Sequence, residues 1–389
     1  MNMENKTVAI LGSTGSVGMQ SVEVVNNLRC NVDLLMASSS VSIIEKQARM
    51  LKPSVCVMTD INAAAILKTK LADTDIKVYG GKDASLSAIM ESGADVAVNA
   101  VSGFAGLEPA IACAKSGKRI AMSNKEAIVI AYKFLIDEIK KNKAEMIPVD
   151  SEHSAIFQCL DKTGLNEIKR IILTSSGGPF RGKKRDELSQ YTAKDALSHP
   201  TWKMGAKITV DSASLMNKGF EVIEAVRLFG VKPKQVKVVV HPQSIMHSAV
   251  EYTDNSVIAQ MGAPDMRTCI QYAITYPERK RALASELDFA TLSKLTFEEP
   301  DMTTFTLLPL AFYAIEEDGI IPSVLNASDE VAVHAFLNDI IGFTDVFDIV
   351  ENIVTGFKNI KEPSLEDVIS ADKEARIKTS ELINIFVRK

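Results

Sequence analysis

Three carboxylates carry the strongest chemical signal in this sequence. Asp150 and Glu152 stand in "IPVDSEHSAIFQCL", and Glu221 stands in "DSASLMNKGFEVIEAVRLFG". Read as a strand end, the D-x-E spacing puts Asp150 and Glu152 on one face and turns Ser151 away from them. Carboxylates so paired suit a hard divalent ion, which takes oxygen ligands and keeps positions open for substrate. A lone D-x-E is more often a capped helix start with solvated acids; the third carboxylate shifts that balance. On a helix, Asn217 and Glu221 are four apart and Lys218 and Glu221 three apart, so all three present together, with Ser212 just upstream of the expected helix start. Hydroxyl, amide, ammonium and carboxylate make a set suited to a phosphate plus a metal, although an amphipathic helix with a capping serine uses the same residues. His153 reads as a hydrogen-bonded helix residue, not a ligand.

A second signal is "TVAILGSTGSVGMQSVEVV", an apolar strand, a glycine loop and an amphipathic helix. Its glycines Gly12, Gly15 and Gly18 follow G-x-x-G-x-x-G, where dinucleotide folds usually have G-x-G-x-x-G. Glycines let a backbone approach a ligand closely, and the N–H groups that open the helix after Gly15 suit a pyrophosphate. A plain tight turn would look similar. Roughly 20 residues on, where an NAD site keeps an acid for the ribose, the second strand ends in Ala37-Ser38-Ser39-Ser40. With no carboxylate there to repel a 2′-phosphate, NADP is favoured over NAD, and the same serines serve as helix caps. In "MSNKEAIVIAYKFL", Asn124 is an N-cap and Glu126 a first-turn acid, while Lys125 falls at the carboxyl edge of the sheet, where open α/β folds bind ligands. "TSSGGPF" brings Ser175, Ser176 and glycine N–H groups into a turn that cups an anion or merely reverses the chain. "SHPTWKMG" holds the sole tryptophan, Trp202, beside His199, Pro200 and Gly205, as a packing anchor or as a lid over substrate. The charged "RGKKRDEL" reads as a solvated face.

The elements that must position these groups follow from the hydrophobic pattern. Up to residue 149, β-branched runs ("TVAIL", "VDLLMA", "SVCVM", "DVAVNA", "RIAM", "MIPV") alternate with helical segments, which predicts a doubly wound, Rossmann-like α/β domain. From 150 to 275, "RIILTSS", "KITV" and "KVVVHP" read as strands, and "SAVEYTDNSVIAQ" as a hairpin turning at Thr253-Asp254-Asn255, so a central α+β domain is expected. Residues 276–302 are polar and irregular and read as a linker. Residues 303–389 carry four helical patterns, a C-terminal helical bundle, with Ser323, Thr344 and Ser364 as N-caps and Gly319 and Gly342 as stops. The chain of 389 residues has a net charge of -5, which gives no electrostatic case for nucleic acid or an anionic membrane. Its five cysteines are dispersed, against a disulfide or zinc framework, and no stretch reads as a secretion signal or a bilayer span. A cytoplasmic protein is expected.

Taken in order, "GSTGSVG", "SNKEAIV", "DSEHSAIFQ", "SSGGPF", "HPTWKMG", "DSASLMNKGFE", "HPQSIMHS" and "GAPDMR" resemble the 1-deoxy-D-xylulose 5-phosphate reductoisomerase family, and "VLNASDEVAVHAFL" and "ISADKEAR" extend the resemblance into the tail. The resemblance implies conversion of 1-deoxy-D-xylulose 5-phosphate to 2-C-methyl-D-erythritol 4-phosphate with NADPH and Mg2+ or Mn2+, in non-mevalonate isoprenoid synthesis, by a homodimer. It implies Asp150, Glu152 and Glu221 as metal ligands. Ser176, Ser212, Asn217 and Lys218 would surround the substrate phosphate, with His199 closing from the lid and Lys125 and Ser151 meeting substrate oxygens. Thr14, Gly15, Ser16, Val17, Asn124, Glu126 and Gly205 would hold NADPH, with Ser39 and Ser40 near its 2′-phosphate. Many members have Gly-Lys-Asn where this chain has Ser38-Ser39-Ser40, so the preference for NADPH would rest on hydroxyls and backbone groups and be weaker. Cys269 and Thr306 replace prolines usual in the family and look structural. Two other readings compete. One is an NADP dehydrogenase of the semialdehyde type, which needs a nucleophilic cysteine; Cys159, in an apolar helical run, is a poor one. The other is an NADPH-sensing regulator without turnover, which NADPH oxidation on mixing with substrate and magnesium would exclude.

Overall fold

The computed structural model describes residues 6–160, 167–198, 202, 204–281 and 283–387. Its first half alternates strand and helix: β1 (Thr7–Leu11), α1 (Ser16–Leu28), β2 (Asn31–Ala37), α2 (Val41–Leu51), β3 (Val55–Met58), α3 (Ile61–Lys70), β4 (Lys77–Gly80), α4 (Lys82–Glu91), β5 (Val96–Asn99), α5 (Leu107–Lys115), β6 (Arg119–Met122), α6 (Lys125–Lys141), β7 (Glu145–Pro148) and α7 (Ser151–Cys159). The seven strands pair in parallel in the order β4-β3-β2-β1-β5-β6-β7. Strands covered on both faces need apolar residues at every position, which explains why β1 and β5 read as continuous runs. Strand order reverses between β1 and β5, so the crevice at their carboxyl ends is the ligand site that this topology provides. β4 escaped the pattern because "KVYG" is a short edge strand with alternate residues exposed.

The second half contains β8 (Ile168–Ser175), α8 (Arg185–Leu188), α9 (Ala193–Ala196), α10 (Ala206–Ala213), α11 (Met216–Phe229), β9 (Val236–Val240), β10 (Met246–Tyr252), β11 (Val257–Met261), α12 (Met266–Thr275), α13 (Phe289–Leu292), α14 (Leu307–Glu317), α15 (Ile321–Leu337), α16 (Phe343–Gly356) and α17 (Leu365–Phe386). A mixed sheet runs β11-β10-β8-β9, with only β8 and β9 parallel. β10 and β11 form the expected hairpin, and Asn255 takes the left-handed conformation (φ 69°) that its turn requires. The four C-terminal helices close over Phe336, Phe343 and Phe347, all fully buried. By packing, the chain forms two compact units. One comprises Met1–Ala127, Tyr132–Ser154 and Asp265–Ser285; the other comprises Ile128–Ala131, Ala155–Pro264 and Glu286–Lys389. Among the described residues, no helix is long and apolar enough to cross a membrane.

Four local expectations are corrected. "KITV" lies in helix α10, not a strand: Gly205 occupies its N-cap position, and Thr209 Oγ1 donates back to the Gly205 carbonyl at 2.7 Å, so tertiary packing overrides β-branched propensity. Ser323 lies inside α15, because Pro322 at the helix start fixes an earlier beginning. Thr344 likewise lies inside α16, whose N-cap is Gly342, so that glycine starts a helix and does not end one. Ser364 does cap α17, its Oγ accepting from Asp367 N–H while the Asp367 carboxylate accepts from Ser364 N–H at 2.9 Å. The "RGKKRDEL" segment is a solvated face, as expected, and its charges are paired at the surface. Arg181 pairs with Glu298, Lys184 with Asp301 and Arg185 with Asp348, and the Arg185 guanidinium lies 4.7 Å over the Phe347 ring.

Candidate active site

The glycine loop after β1 is built from bare backbone. Gly12 has φ +79°, and a Cβ on Gly18 would fall 2.1 Å from the Gly12 carbonyl oxygen, so neither position accepts a side chain. Gly15 sits at the N-cap of α1, and Ser16 and Val17 open that helix with N–H groups that have no intrahelical acceptor. The Gly12 and Ser13 amides both donate to the Met36 carbonyl at 2.8 and 2.9 Å, which ties the loop to the end of β2. Ser40 takes the N-cap position of α2 without a capping side-chain bond, and Ser39 and Ser40 are exposed. This donor set fits the phosphates of a dinucleotide. A residue that sequence reasoning missed supports it: Gln47, 4% exposed on α2, donates to the Ser13 carbonyl at 2.8 Å. The available signal was a polar residue on the buried stripe formed by Ile44 and Ala48.

Asn124 caps α6 as expected, its Oδ1 accepting from Ala127 N–H at 2.7 Å. Its Nδ2 donates to Val101 O at 2.7 Å, Gly103 O at 2.9 Å and Glu126 Oε2 at 3.1 Å, so the cap also pins the loop after β5. Lys125, at the first position of α6, is buried and its ammonium lies 2.7 Å from Asp150 Oδ2. His153, in α7, is wholly buried with its Nδ1 3.6 Å from the same oxygen. Burial raises the Asp150 carboxyl, but Lys125 and His153 outweigh it and hold the group well below the usual carboxylate range. The strand-alternation argument for Asp150 and Glu152 is corrected: β7 stops at Pro148, and Ser154 N–H donates to Asp150 O at 2.8 Å, so both acids belong to a helix start. Ser151 does not turn away; its hydroxyl donates to the Glu152 carboxylate. An oxygen-only donor pair beside an ammonium fits a hard divalent ion and a polarised substrate oxygen.

The second unit carries the other set. α10 and α11 meet at Leu215, held at φ +60°, so Ser212 lies in the last turn of one helix, not upstream of a helix start as expected, and Asn217 lies in the first turn of the next. Asn217 and Lys218 both donate to Glu221, and Lys218 and Glu221 are 3% and 1% exposed. The loop after β8 turns through Gly177 (φ +86°) and Gly178 (φ +68°), and a Cβ on Gly178 would lie 2.4 Å from the Ser212 carbonyl oxygen. That close approach sets the loop bearing Ser176 against the end of α10. Gly205 has open space around it. Trp202 has its ring 6.3 Å from that of His247. His199, the expected lid residue, lies outside the described residues.

No cysteine is poised as a nucleophile. Burial pushes Cys30 and Cys159 up to about 11, and Cys56, Cys113 and Cys269 up to about 12, so none is a thiolate near neutral pH. The semialdehyde-type reading loses its one requirement.

Three family models match. Residues 8–132 match the description 1-deoxy-D-xylulose 5-phosphate reductoisomerase, and residues 146–229 and 261–378 match two C-terminal domains of that enzyme. A 1-deoxy-D-xylulose 5-phosphate reductoisomerase of Caldanaerobacter subterraneus subsp. tengcongensis is 49% identical over 374 residues, 95% of this chain and 97% of the relative. One from Phocaeicola vulgatus is 47% identical over 374 residues, again 95% and 97%. The structure of the Zymomonas mobilis enzyme in complex with NADPH superposes with TM-score 0.91 at 39% identity, covering 98% of this chain and 99% of that one. A reductoisomerase structure with NADPH, fosmidomycin and magnesium gives TM-score 0.93 at 35% identity over the same shares. With its glycine loop, its paired acids and its end-to-end likeness to these enzymes, the chain belongs to the 1-deoxy-D-xylulose 5-phosphate reductoisomerase family.

Proposed function

We propose that this chain converts 1-deoxy-D-xylulose 5-phosphate to 2-C-methyl-D-erythritol 4-phosphate, using NADPH and a divalent Mg2+ or Mn2+. The observation that carries this reading is the buried Lys125–Asp150 pair beside Glu152 at the carboxyl ends of β6 and β7, in a chain of this family. Asp150, Glu152 and Glu221 would hold the metal, which suits their carboxylate oxygens. When bound, the ion supplies Lewis acidity toward neighbouring substrate oxygens, and NADPH supplies the reducing equivalent. Lys125 adds positive charge where the substrate oxygens become anionic as a carbon–carbon bond breaks and re-forms, and its pairing with Asp150 fixes the ammonium in place. Ser151 offers a hydroxyl to the same oxygens. Ser176, Ser212, Asn217 and Lys218 bind the phosphate, and His199 closes over it. Anchoring the phosphate away from the reacting carbons restricts the substrate to few poses. Thr14, Gly15, Ser16 and Val17 meet the pyrophosphate, Ser39 and Ser40 the 2′-phosphate, and Asn124, Glu126 and Gly205 the rest of the cofactor.

Along the chain, residues 1–149 would bind NADPH, 150–275 perform catalysis, 276–302 link, and 303–389 support. A homodimer in a reducing cytoplasm completes the proposal. β11 is an edge strand with Val257 and Ile258 51% and 48% exposed, a surface suited to a second copy, and all five cysteines are free thiols. Light scattering of the purified protein tests the dimer. The activity is tested by following NADPH absorbance with 1-deoxy-D-xylulose 5-phosphate and magnesium. Oxidation that stops on chelation and returns with the metal is expected; NADPH binding without any oxidation would favour the sensor reading.

A further inference from the structure

Lys207, in the first turn of α10, directs its ammonium at two carboxyl groups. Asp211 Oδ2, one turn on in the same helix, is 2.7 Å away, and Asp329 Oδ2, from α15, is 2.6 Å away. Both acids are buried, their side chains 3% and 0% exposed. The same ammonium lies 4.7 Å over the ring of Phe220 on α11. One side chain therefore joins α10, α11 and α15. Two ionised carboxylates on one ammonium would leave a buried net negative charge, which is expensive. Burial raises Asp329, with Glu330 adding to the rise, against the pull of Lys207 and Asp211; Glu330 is itself paired with Arg376 at 2.6 Å. The balance holds the Asp329 carboxyl above its ordinary range.

The cluster sits directly behind the phosphate set. Asp211 adjoins Ser212, the Ser214 hydroxyl donates to Asp211 O at 3.2 Å, and the Ser176 loop presses on the Ser212 carbonyl through Gly178. We propose that Asp329 is a positioning residue for substrate: through Lys207 and Asp211 it fixes the end of α10, and so the place where Ser212 offers its hydroxyl to a phosphate monoester. This rests on the reading of Ser212 as a phosphate ligand.

The test is steady-state kinetics of the full chain with magnesium and saturating NADPH. Asp329→Ala and the volume-preserving Asp329→Leu should each raise KM for 1-deoxy-D-xylulose 5-phosphate about tenfold, the scale of one lost hydrogen bond to a charged group. kcat should stay within about twofold, because the acids and Lys125 are untouched. Asp329→Asn should restore the parental KM, since an amide of the same shape still accepts from the Lys207 ammonium and keeps the link between α10 and α15. An unchanged KM in both the Ala and Leu variants, or an Asn variant as impaired as they are, overturns the proposal. Ser212→Ala separates the two claims. If it leaves KM unchanged, the phosphate reading falls and takes this inference with it; if it raises KM while the Asp329 variants do not, only this inference falls.

Discussion

Glu152 and Glu221 are proposed for the same ion but live in different settings. Glu152 is half-buried and accepts the Ser151 hydroxyl, whereas Glu221 is buried and held by Lys218 and Asn217. Changing either carboxylate to its amide removes one charge and one strong oxygen ligand with almost no change in shape. Glu152→Gln and Glu221→Gln should each lower turnover by at least about a hundredfold, the usual scale for losing electrostatic stabilisation of a transition state. NADPH binding, followed by nucleotide fluorescence, should be nearly unchanged, because the glycine loop and Asn124 are untouched. Near-normal turnover in both variants would remove these acids from the metal site.

Among the elements, β8 and β10 are joined by an ion pair as well as by their ladder. The Arg170 and Lys169 hydrogen bonds hold Glu251 down at about 2, below its ordinary value. A depressed carboxyl stabilises the fold above its unfolded pKa, about 4.3, and the benefit fades as pH falls through the folded value. The Tm difference between the parent and Glu251→Gln should therefore be full near neutrality and shrink as pH drops from about 4.3 towards the folded value, as thermal melts across that range would show. The junction of the Ser176 loop with α10 makes a second prediction. Gly178→Ala places a Cβ against the Ser212 carbonyl in a left-handed conformation, which should cost about 1–3 kcal/mol in stability and raise KM for the phosphorylated substrate.

These elements also separate what one dimension reveals from what it hides. The strand, glycine loop and helix from Thr7 onward were legible because period and punctuation agree there. "KITV" and the strand end at Asp150 were misread, because β-branched residues and a D-x-E look the same until packing chooses helix. Lys125 and Asp150 were each visible, but their pairing was not, and Asp329 was invisible as a partner of Lys207 across 122 residues.

At the scale of the whole molecule, the stretch proposed to meet the cofactor's 2′-phosphate, Ser38-Ser39-Ser40 at the end of β2, carries no cation of its own. Ser39 and Ser40 offer hydroxyls exposed to water, each worth about 1.5 kcal/mol to a charged phosphate, the low end for such a bond. The kcat/KM preference for NADPH over NADH should therefore stay within about a hundredfold, and Ser39→Asp should reverse it by repelling the 2′-phosphate. Parallel assays with the two cofactors decide this, and a preference of many thousandfold would show that another group reads the phosphate.

The contact of Gly178 with the Ser212 carbonyl bears on inheritance as well as on shape. Every base change in a glycine codon that alters the amino acid adds a Cβ, so no stepwise route leads away from this residue without passing through a clash. Descendants of this gene can drift freely at Gly93 or Gly356, where open space surrounds the backbone, but at Gly178 they must first relocate the end of α10.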